Sequence, residues 1–299
     1  MLSNPPPPLA VLGELWRMTR PACIPGGLAL TFFGATIATG SVHCFREPLV
    51  WMVAAFSALT GAGSMVFNDY FDFRAGVDAL KSKPLTDGTV HPEQALLAAS
   101  TFYLTIFFFA ALLEDPWLRL IVSSSILTTF LYTPLLKGIP MIKNVVVAFI
   151  ISQAIVVGGL AANLANLHRL ILPTIFVFST IMWQEISMDI TDADGDAKAG
   201  IKTLPVALGN PAAMGIAITF LLLAGATPFI PLAFGPSTTI GSLFSLPVAV
   251  LLPAAQAILI YGSLSAWRSS FDRKAMDKVL DRCFPVLAVA LTILACFGV

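Results

Sequence analysis

Charged residues in this chain are separated by long uncharged stretches, and their spacing constrains the fold more than any other feature of the sequence. A helix that crosses a lipid bilayer needs about 20 consecutive, mostly apolar residues. Uncharged stretches of about this length lie at residues 21–45, 48–68, 94–113, 120–136 and 144–168. A shorter one follows at 170–184, then a very long one at 203–267 and a last apolar run at 283–299.

The stretch at 203–267 is long enough for two spans, because GPSTTIGS at 235–242 supplies a break between them. The count is then nine spans, which we expect to be helices, since a single open strand cannot satisfy its backbone in lipid. Only 11% of the residues are charged, against about 25% in soluble proteins. We therefore predict an all-α integral membrane bundle of nine transmembrane helices that forms one domain over residues 1–299.

The basic residues predict how this bundle is oriented. Nine spans place the N-terminal segment and the connections after spans 2, 4, 6 and 8 on one side of the membrane. That side holds all of the 17 lysines and arginines except Arg46, Arg119 and Arg169. Because basic residues collect on the cytosolic side, we expect the N-terminus and the polar segments 68–93 and 185–202 to be cytosolic. A formal net charge of zero gives no indication of nucleic-acid binding.

Three other features are expected to carry no chemistry. The N-terminal segment lacks a basic stretch followed by a short apolar run and a cleavage site, so we expect no removable signal peptide. The four cysteines are scattered and form no CxxC pair, so we expect neither disulfides nor a zinc site. The three histidines are far apart in the sequence, and we expect no metal site from them.

The first polar motif, NDYFDFRAGVD at 68–78, begins where the second span leaves its apolar region. On a continuing helix, Asn68, Asp69 and Asp72 lie at positions i, i+1 and i+4, so three oxygen-bearing side chains share one face. Asp78 follows Gly76 and is positioned to complete the site from a bend. A set of oxygen ligands suits Mg²⁺, which binds through carboxylates together with substrate phosphates.

The second motif, DITDADGD at 189–196, lies at the end of the sixth span. Asp189, Asp192 and Asp196 fall at i, i+3 and i+7 and form another stripe along a helix. Glu185, one turn earlier, extends this stripe toward the membrane. Asp194 points elsewhere on the helix, and we expect it to be solvated.

Two acidic clusters of this kind favour a site for divalent cations. Like charges at such spacing repel, and metal ions remove that penalty. A diphosphate can then bridge the ions, which neutralise its negative charge. The alternative is that acidic clusters at helix ends are ordinary solvated segments. Two clusters on one predicted side of the membrane, each with helical spacing, favour the metal site.

Both motifs resemble those of the UbiA superfamily of intramembrane prenyltransferases. NDYFDFRAGVD is similar to its NDxxDxxxD-type motif, and DITDADGD followed by AKAGIKTLPVALG is similar to its DxxxD motif with the trailing lysine and TLP. Asp192 and Asp196 have the DxxxD spacing. Asp78 follows Asp72 by six residues, two more than in the strict pattern. The resemblance implies nine helices around a central chamber.

The resemblance also suggests cationic groups for the diphosphate. Lys81 and Lys83 lie where many relatives have an Arg-Pro-(Leu/Ile)-x-x-Gly segment, and each is expected to bind the diphosphate or to be an ordinary cytosolic lysine. Lys198 and Lys202 follow the second motif and are assigned in the same way, with Lys198 favoured as the catalytic one. Arg74 is assigned to the substrate as well.

The segment between the fourth and fifth spans completes the set of candidates. Tyr132-Thr133-Pro134 with Lys137 resembles the corresponding family segment, and Lys137 is assigned to substrate binding. Tyr132 is expected either to line the reaction chamber or to sit at the membrane interface. Arg20, followed by Pro21, also resembles relatives, with anchoring of the first span as the alternative role.

The implied reaction starts with an isoprenyl diphosphate that enters from the bilayer. Mg²⁺ held by Asn68, Asp72, Asp192 and Asp196 binds the diphosphate, and the metal set is completed by Asp69, Asp78 and Asp189. Cleavage of the C–O bond then leaves an allylic cation in a chamber that excludes water.

The fate of the cation is left open between two outcomes. In most relatives an acceptor attacks it, and we expect transfer to a lipophilic aromatic or quinone-precursor acceptor. In a minority the chain's own double bonds attack, as in a terpene cyclase acting on farnesyl or geranylgeranyl diphosphate. An ion-coupled transporter is a third, remote interpretation, because intramembrane acids mark ion routes. The acids here cluster at the ends of spans rather than at mid-span, which disfavours transport.

Overall fold

The computed structural model describes residues 7–76, 82–198, 200–235 and 237–297, and within them the regular structure is helical with no strand. The α-helices are α1 (Pro8–Met18), α2 (Ile24–Thr39), α3 (Pro48–Arg74), α4 (Pro92–Ala111), α5 (Pro116–Leu131), α6 (Ile142–Ala162), α7 (Ile171–Lys198), α8 (Leu204–Leu208), α9 (Asn210–Ala226), α10 (Leu246–Arg268), α11 (Arg273–Leu280) and α12 (Cys283–Phe297). Short 3₁₀-helices lie at Pro21–Cys23, Val42–Arg46, Leu164–Leu170, Thr227–Ala233 and Gly241–Leu243. A π-helical turn at Tyr132–Leu136 continues α5.

The prediction of nine spanning helices is confirmed. In the described part of the chain, nine helical segments are long and apolar enough to cross a membrane: Pro21–Thr39, Pro48–Arg74, Pro92–Ala111, Pro116–Leu136, Ile142–Ala162, Leu164–Lys198, Asn210–Ala233, Leu246–Arg268 and Arg273–Phe297. The break expected at 235–242 falls between the seventh and eighth of them. The single-domain organisation over 1–299 and the central chamber stay predictions.

Local sequence signals explain where several of these helices begin and end. Proline occupies the first turn of α4, α5 and α10, where its missing N–H donor would have no partner in the helix. Asp115 caps α5, because its Oδ1 accepts a hydrogen bond of 2.6 Å from the Leu118 N–H. The short uncharged stretch 170–184 is only part of α7, since this helix continues through the acidic motif to Lys198.

The contacts within the chain divide it into two compact units. The first comprises Met1–Ala29 and Met52–Leu135. Its helices α3, α4 and α5 pack through an aromatic cluster centred on Phe67. The ring of Phe67 lies 4.8 Å from that of Phe71, 5.9 Å from Tyr103 and 5.0 Å from Phe130. Many large apolar side chains of α4 and α5 are exposed, as expected for helices that face lipid.

The second unit comprises Leu30–Trp51 and Leu136–Val299. Its central helix is α7, which packs against α6 and α9, while α10 packs against α9 and α12. Phe176, Met182, Trp183 and Ile186 of α7 are fully buried in the core of this unit. The indole N–H of Trp183 donates to Ser263 Oγ of α10 over 2.9 Å, which satisfies a polar group that lipid could not.

Glycines allow α2 and α6 to cross closely in the second unit. A Cβ atom added at Gly34 of α2 would lie 2.0 Å from the Ile155 carbonyl oxygen of α6. One added at Gly158 of α6 would lie 1.9 Å from the Thr31 carbonyl oxygen of α2. Each helix therefore presents a glycine to the backbone of the other, as in the small-residue interfaces of membrane helices.

Candidate active site

Residues 68–74 of the first acidic motif form the last two turns of α3, as their spacing predicted. Asn68 and Asp72 are half-buried, and Asn68 Nδ2 donates to Asp72 Oδ2 over 3.0 Å. The helix ends where Gly76 adopts a φ of 73° and its N–H donates to the Phe73 carbonyl over 3.0 Å. This left-handed conformation favours glycine, which explains why α3 ends at Arg74, within the motif.

Asp69 is the buried acid of this motif, with 7% of its surface exposed. Its Oδ1 atom lies 3.0 Å from Lys83 Nζ and 3.3 Å from Arg20 Nη2. Both cations come from segments that connect helices, since Arg20 follows α1 and Lys83 lies between α3 and α4. Two basic partners offset the cost of burying this carboxylate.

The segment that carries Lys83 is held by its own hydrogen bonds. The Lys83 N–H donates to Thr86 Oγ1 over 2.9 Å, and the Asp87 N–H donates to the Lys83 carbonyl over 2.8 Å. Gly88 supplies a φ of 72° and Leu85 is buried. The Lys-Pro-Leu-Thr-Asp-Gly sequence thus forms a compact turn that fixes the backbone from which the lysine side chain extends.

The second acidic motif lies on the last turns of α7. Its buried acid is Asp189, of whose surface 7% is exposed. Lys143 and Asn144, at the start of α6, both reach this carboxylate. Lys143 Nζ lies 2.5 Å from Asp189 Oδ1, and Asn144 Nδ2 donates to Asp189 Oδ2 over 3.0 Å. The partners of this acid therefore come from a neighbouring spanning helix.

The remaining acids of α7 are more accessible than Asp189. Asp192 and Asp194 are exposed and Asp196 is half-buried. The helix ends in a Schellman motif, in which the Ile201 N–H donates to the Asp196 carbonyl over 2.8 Å and the Gly200 N–H donates to the Ala197 carbonyl over 3.2 Å. Gly200 has a φ of 71°.

The two motifs share a helix ending that the spacing of acids did not reveal. Both endings contain an aspartate, a variable residue, a basic residue, an alanine and a glycine in this order. The two segments are Asp72-Phe73-Arg74-Ala75-Gly76 and Asp196-Ala197-Lys198-Ala199-Gly200. In this alignment Asn68 corresponds to Asp192. Each motif therefore has a pair of oxygen-bearing side chains at i and i+4, followed by a basic residue and a glycine in the left-handed conformation.

The amino-acid sequence assigns these motifs to a known family. Residues 27–276 match the UbiA prenyltransferase family. The chain belongs to this family. It is therefore an integral, multi-pass membrane protein and a prenyltransferase, and the resemblance drawn from the two motifs is confirmed.

Two relatives of this UbiA-family chain carry the same name. It is 28% identical over 282 residues to the digeranylgeranylglyceryl phosphate synthase of Natronomonas pharaonis, with 93% of this chain and 95% of the relative covered. The enzyme of the same name from Thermococcus kodakarensis is 29% identical over 282 residues, with 93% and 96% covered.

Solved structures show the same fold. A digeranylgeranylglyceryl phosphate synthase superposes with a TM-score of 0.71 at 18% identity, covering 95% of this chain and 98% of that one. A UbiA homologue from Archaeoglobus fulgidus bound to DMAPP and Mg²⁺ superposes with a TM-score of 0.64 at 18% identity, covering 92% and 99%. That homologue thus binds an isoprenyl diphosphate together with the metal.

The other predicted residues of this UbiA-family chain are distributed as follows. Arg74, Lys198 and Lys202 are exposed, whereas Tyr132 and Lys137 are half-buried. Asp78 and Lys81 lie outside the described residues. Sequence reasoning assigned no role at this site to Lys143 or Asn144, because they lie about 45 residues before Asp189 and no local pattern connects them.

The donor set of each motif fits Mg²⁺. Carboxylate and carboxamide oxygens are the hard ligands that this ion prefers, and it is usually bound through one or two carboxylates plus substrate phosphates. Among the described residues, no three histidine, cysteine, aspartate or glutamate side chains are grouped closely enough to hold a metal ion. The motifs offer pairs of oxygen donors at the ends of α3 and α7, which suits an ion that arrives with a diphosphate.

Proposed function

We propose that this UbiA-family enzyme ionises an isoprenyl diphosphate in a Mg²⁺-dependent reaction and transfers the isoprenyl group to the hydroxyl of a glyceryl phosphate lipid. The observation that supports Mg²⁺-dependent ionisation is the helix ending that α3 and α7 share. Each helix presents an i, i+4 pair of oxygen donors and then a basic residue at its polar end. This combination serves a ligand that brings both metal ions and phosphate oxygens.

Four oxygen-bearing residues would hold Mg²⁺: Asn68 and Asp72 on α3, and Asp192 and Asp196 on α7. Bound Mg²⁺ supplies charge neutralisation for the diphosphate and for the pyrophosphate that leaves. The basic side chains of Arg74, Lys83, Lys198 and Lys202 donate to phosphate oxygens, whose charge grows as the C–O bond breaks. Lys83 is the most constrained of them, because its turn and its contact with Asp69 fix it in place.

The acceptor class is proposed from the relatives. Their name denotes synthesis of a glyceryl phosphate that carries two geranylgeranyl groups, and they align over more than nine-tenths of this chain. The acceptor class that this name denotes, a glyceryl phosphate, differs from the aromatic or quinone-precursor acceptor expected from the sequence. A geranylgeranyl glyceryl phosphate is therefore the acceptor to test first, with geranylgeranyl diphosphate as the donor.

Transfer balances without a further reactant. The C–O bond of the diphosphate breaks and pyrophosphate leaves with the electron pair. The hydroxyl oxygen of the acceptor then attacks the allylic carbon, and its proton is released to the medium. One ether bond forms for each pyrophosphate released.

The test uses the full chain in lipid vesicles with Mg²⁺ and geranylgeranyl diphosphate. Three matched reactions contain geranylgeranyl glyceryl phosphate, an aromatic quinone precursor or no acceptor, and products are identified by mass spectrometry. We expect a doubly prenylated glyceryl phosphate in the first reaction, and its loss on chelation of Mg²⁺. Product with the aromatic acceptor alone would overturn the acceptor assignment. A cyclic terpene in the reaction without acceptor would identify a terpene cyclase instead.

A further inference from the structure

Asp189 is held from both sides by the first residues of α6. Lys143 Nζ contacts Oδ1 at 2.5 Å, and Asn144 Nδ2 donates to Oδ2 over 3.0 Å. Both carboxylate oxygens of Asp189 thus accept hydrogen bonds from side chains of α6. The second motif is therefore joined to α6 through an ion pair and a hydrogen bond at one residue.

This contact is buried, unlike the rest of the acidic stripe. Asn144 is fully buried, and the side chain of Lys143 is 15% exposed. Asp192, one turn further along α7, is exposed. Both oxygens of Asp189 face α6, whereas the acids that follow it on the helix remain accessible to a ligand.

The alignment of the two helix endings sets Asp189 apart as well. Asn68 and Asp72 correspond to Asp192 and Asp196, but the position that corresponds to Asp189 is Met65. A methionine thioether is a poor ligand for Mg²⁺, which takes oxygen ligands. The role of Asp189 is thus not one that both motifs share.

We propose that Lys143 and Asn144 are positioning residues for prenyl transfer, and that Asp189 serves as their anchor on α7 rather than as a metal ligand. The ion pair fixes the rotation of α7 about its axis, and with it the direction in which Asp192 and Asp196 present their oxygens. Displacement of catalytic groups by about 1 Å lowers turnover by about 100-fold. This inference rests on the proposed function and assigns a role within it.

The test is a double-mutant cycle on the full chain in lipid vesicles. Lys143→Met removes the cation that contacts the Asp189 carboxylate, and Asp189→Asn removes the negative charge that Lys143 contacts. The double variant Lys143→Met with Asp189→Asn contains neither charge and keeps the side-chain volumes close to the original. Lys278→Met, at an exposed lysine of α11, is the matched control and is expected to behave as the wild type.

Pyrophosphate release is measured at saturating Mg²⁺ and well below the unfolding temperature of each variant. We expect each single variant to lose about 100-fold in kcat and the double variant to recover at least about tenfold over Asp189→Asn. The half-saturating Mg²⁺ concentration of the double variant should stay close to that of the wild type.

Two results would overturn the inference. A double variant no more active than Asp189→Asn, with a raised Mg²⁺ requirement, would make Asp189 a metal ligand. Single variants that keep wild-type kcat whenever they are folded would leave the contact with a structural role alone. Failure of the proposed function is distinguishable from both, because the wild-type and Lys278→Met chains would then release no pyrophosphate.

Discussion

In the first motif the buried acid is held by connecting segments, whereas in the second it is held by a spanning helix. Asp69 meets Arg20 and Lys83, which lie outside the helices of the first unit. Asp189 meets Lys143 and Asn144, which begin α6. The helix endings themselves are alike, with oxygen donors at i and i+4 and a terminal glycine at a φ of 73° or 71°.

This difference indicates that the two motifs depend on different parts of the fold. A carboxylate anchored to a packed helix moves only with that helix. A carboxylate anchored to a turn and to the segment after α1 depends on contacts between residues close in sequence. The hydrogen bond from the Lys83 N–H to Thr86 Oγ1 is one of them. We therefore expect changes in helix packing to affect the second motif more than the first. Removal of one basic partner should lower the stability of the protein less at Asp69 than at Asp189.

The largest effect is expected at the crossing of α2 and α6. Gly158→Ala places a methyl group 1.9 Å from the Thr31 carbonyl oxygen, so α6 has to shift and carries Lys143 and Asn144 with it. We expect a loss of at least about 3 kcal/mol in stability, because overpacking against backbone cannot relax by a change of rotamer. Thermal unfolding in detergent measures it.

Gly61→Ala is the matched control for this crossing. Gly61 also lies inside a spanning helix, but nothing is within 4 Å of its added Cβ atom. Replacement by alanine there should leave stability unchanged or raise it by up to about 1 kcal/mol. Equal behaviour of the two variants would show that the close crossing does not hold α6.

Removal of single cations tests how the two buried acids are held. Lys143→Met leaves the Asp189 carboxylate buried with only a neutral hydrogen bond, and we expect a loss of about 3 kcal/mol in stability. Lys83→Gln leaves Asp69 with Arg20, whose side chain is 46% exposed, and should cost about 1 kcal/mol or less. Chemical unfolding of both variants in the same detergent measures the difference. Equal losses would contradict the distinction between the two motifs.

Smaller effects than that of Lys143→Met are expected at the glycines that end the two helices. Gly76→Ala and Gly200→Ala each force a side chain into a left-handed conformation, which costs about 1–2 kcal/mol. Gly195, inside α7, has no atom within 4 Å of its added Cβ, so Gly195→Ala should instead raise stability by up to about 1 kcal/mol. Different losses of stability for the Gly76 and Gly200 variants in thermal unfolding would show that the two helix endings are not equivalent.

The spacing of charges was sufficient to predict the nine spans and the break after Ala233, because apolar length is a local property of the sequence. Helical spacing also predicted that Asn68, Asp72, Asp192 and Asp196 lie on helices. The contact of Lys143 and Asn144 with Asp189 was missed, since it joins residues far apart in the chain without a repeating pattern. The shared aspartate–basic–alanine–glycine ending was visible in the sequence, but only a comparison of the two motifs residue by residue reveals it.

The central claim is that the i, i+4 oxygen donors of both motifs serve one Mg²⁺-dependent ionisation of an isoprenyl diphosphate. Pyrophosphate release across a Mg²⁺ titration tests it, with Asp72→Asn, Asp192→Asn and Asp194→Asn in the same vesicles. We predict losses of roughly 1,000-fold for the first two, since metal-ion stabilisation is worth several kcal/mol. Asp194 is exposed and outside the pairs, so its variant should stay within about twofold of the wild type. Wild-type turnover by either the Asp72 or the Asp192 variant would contradict the account.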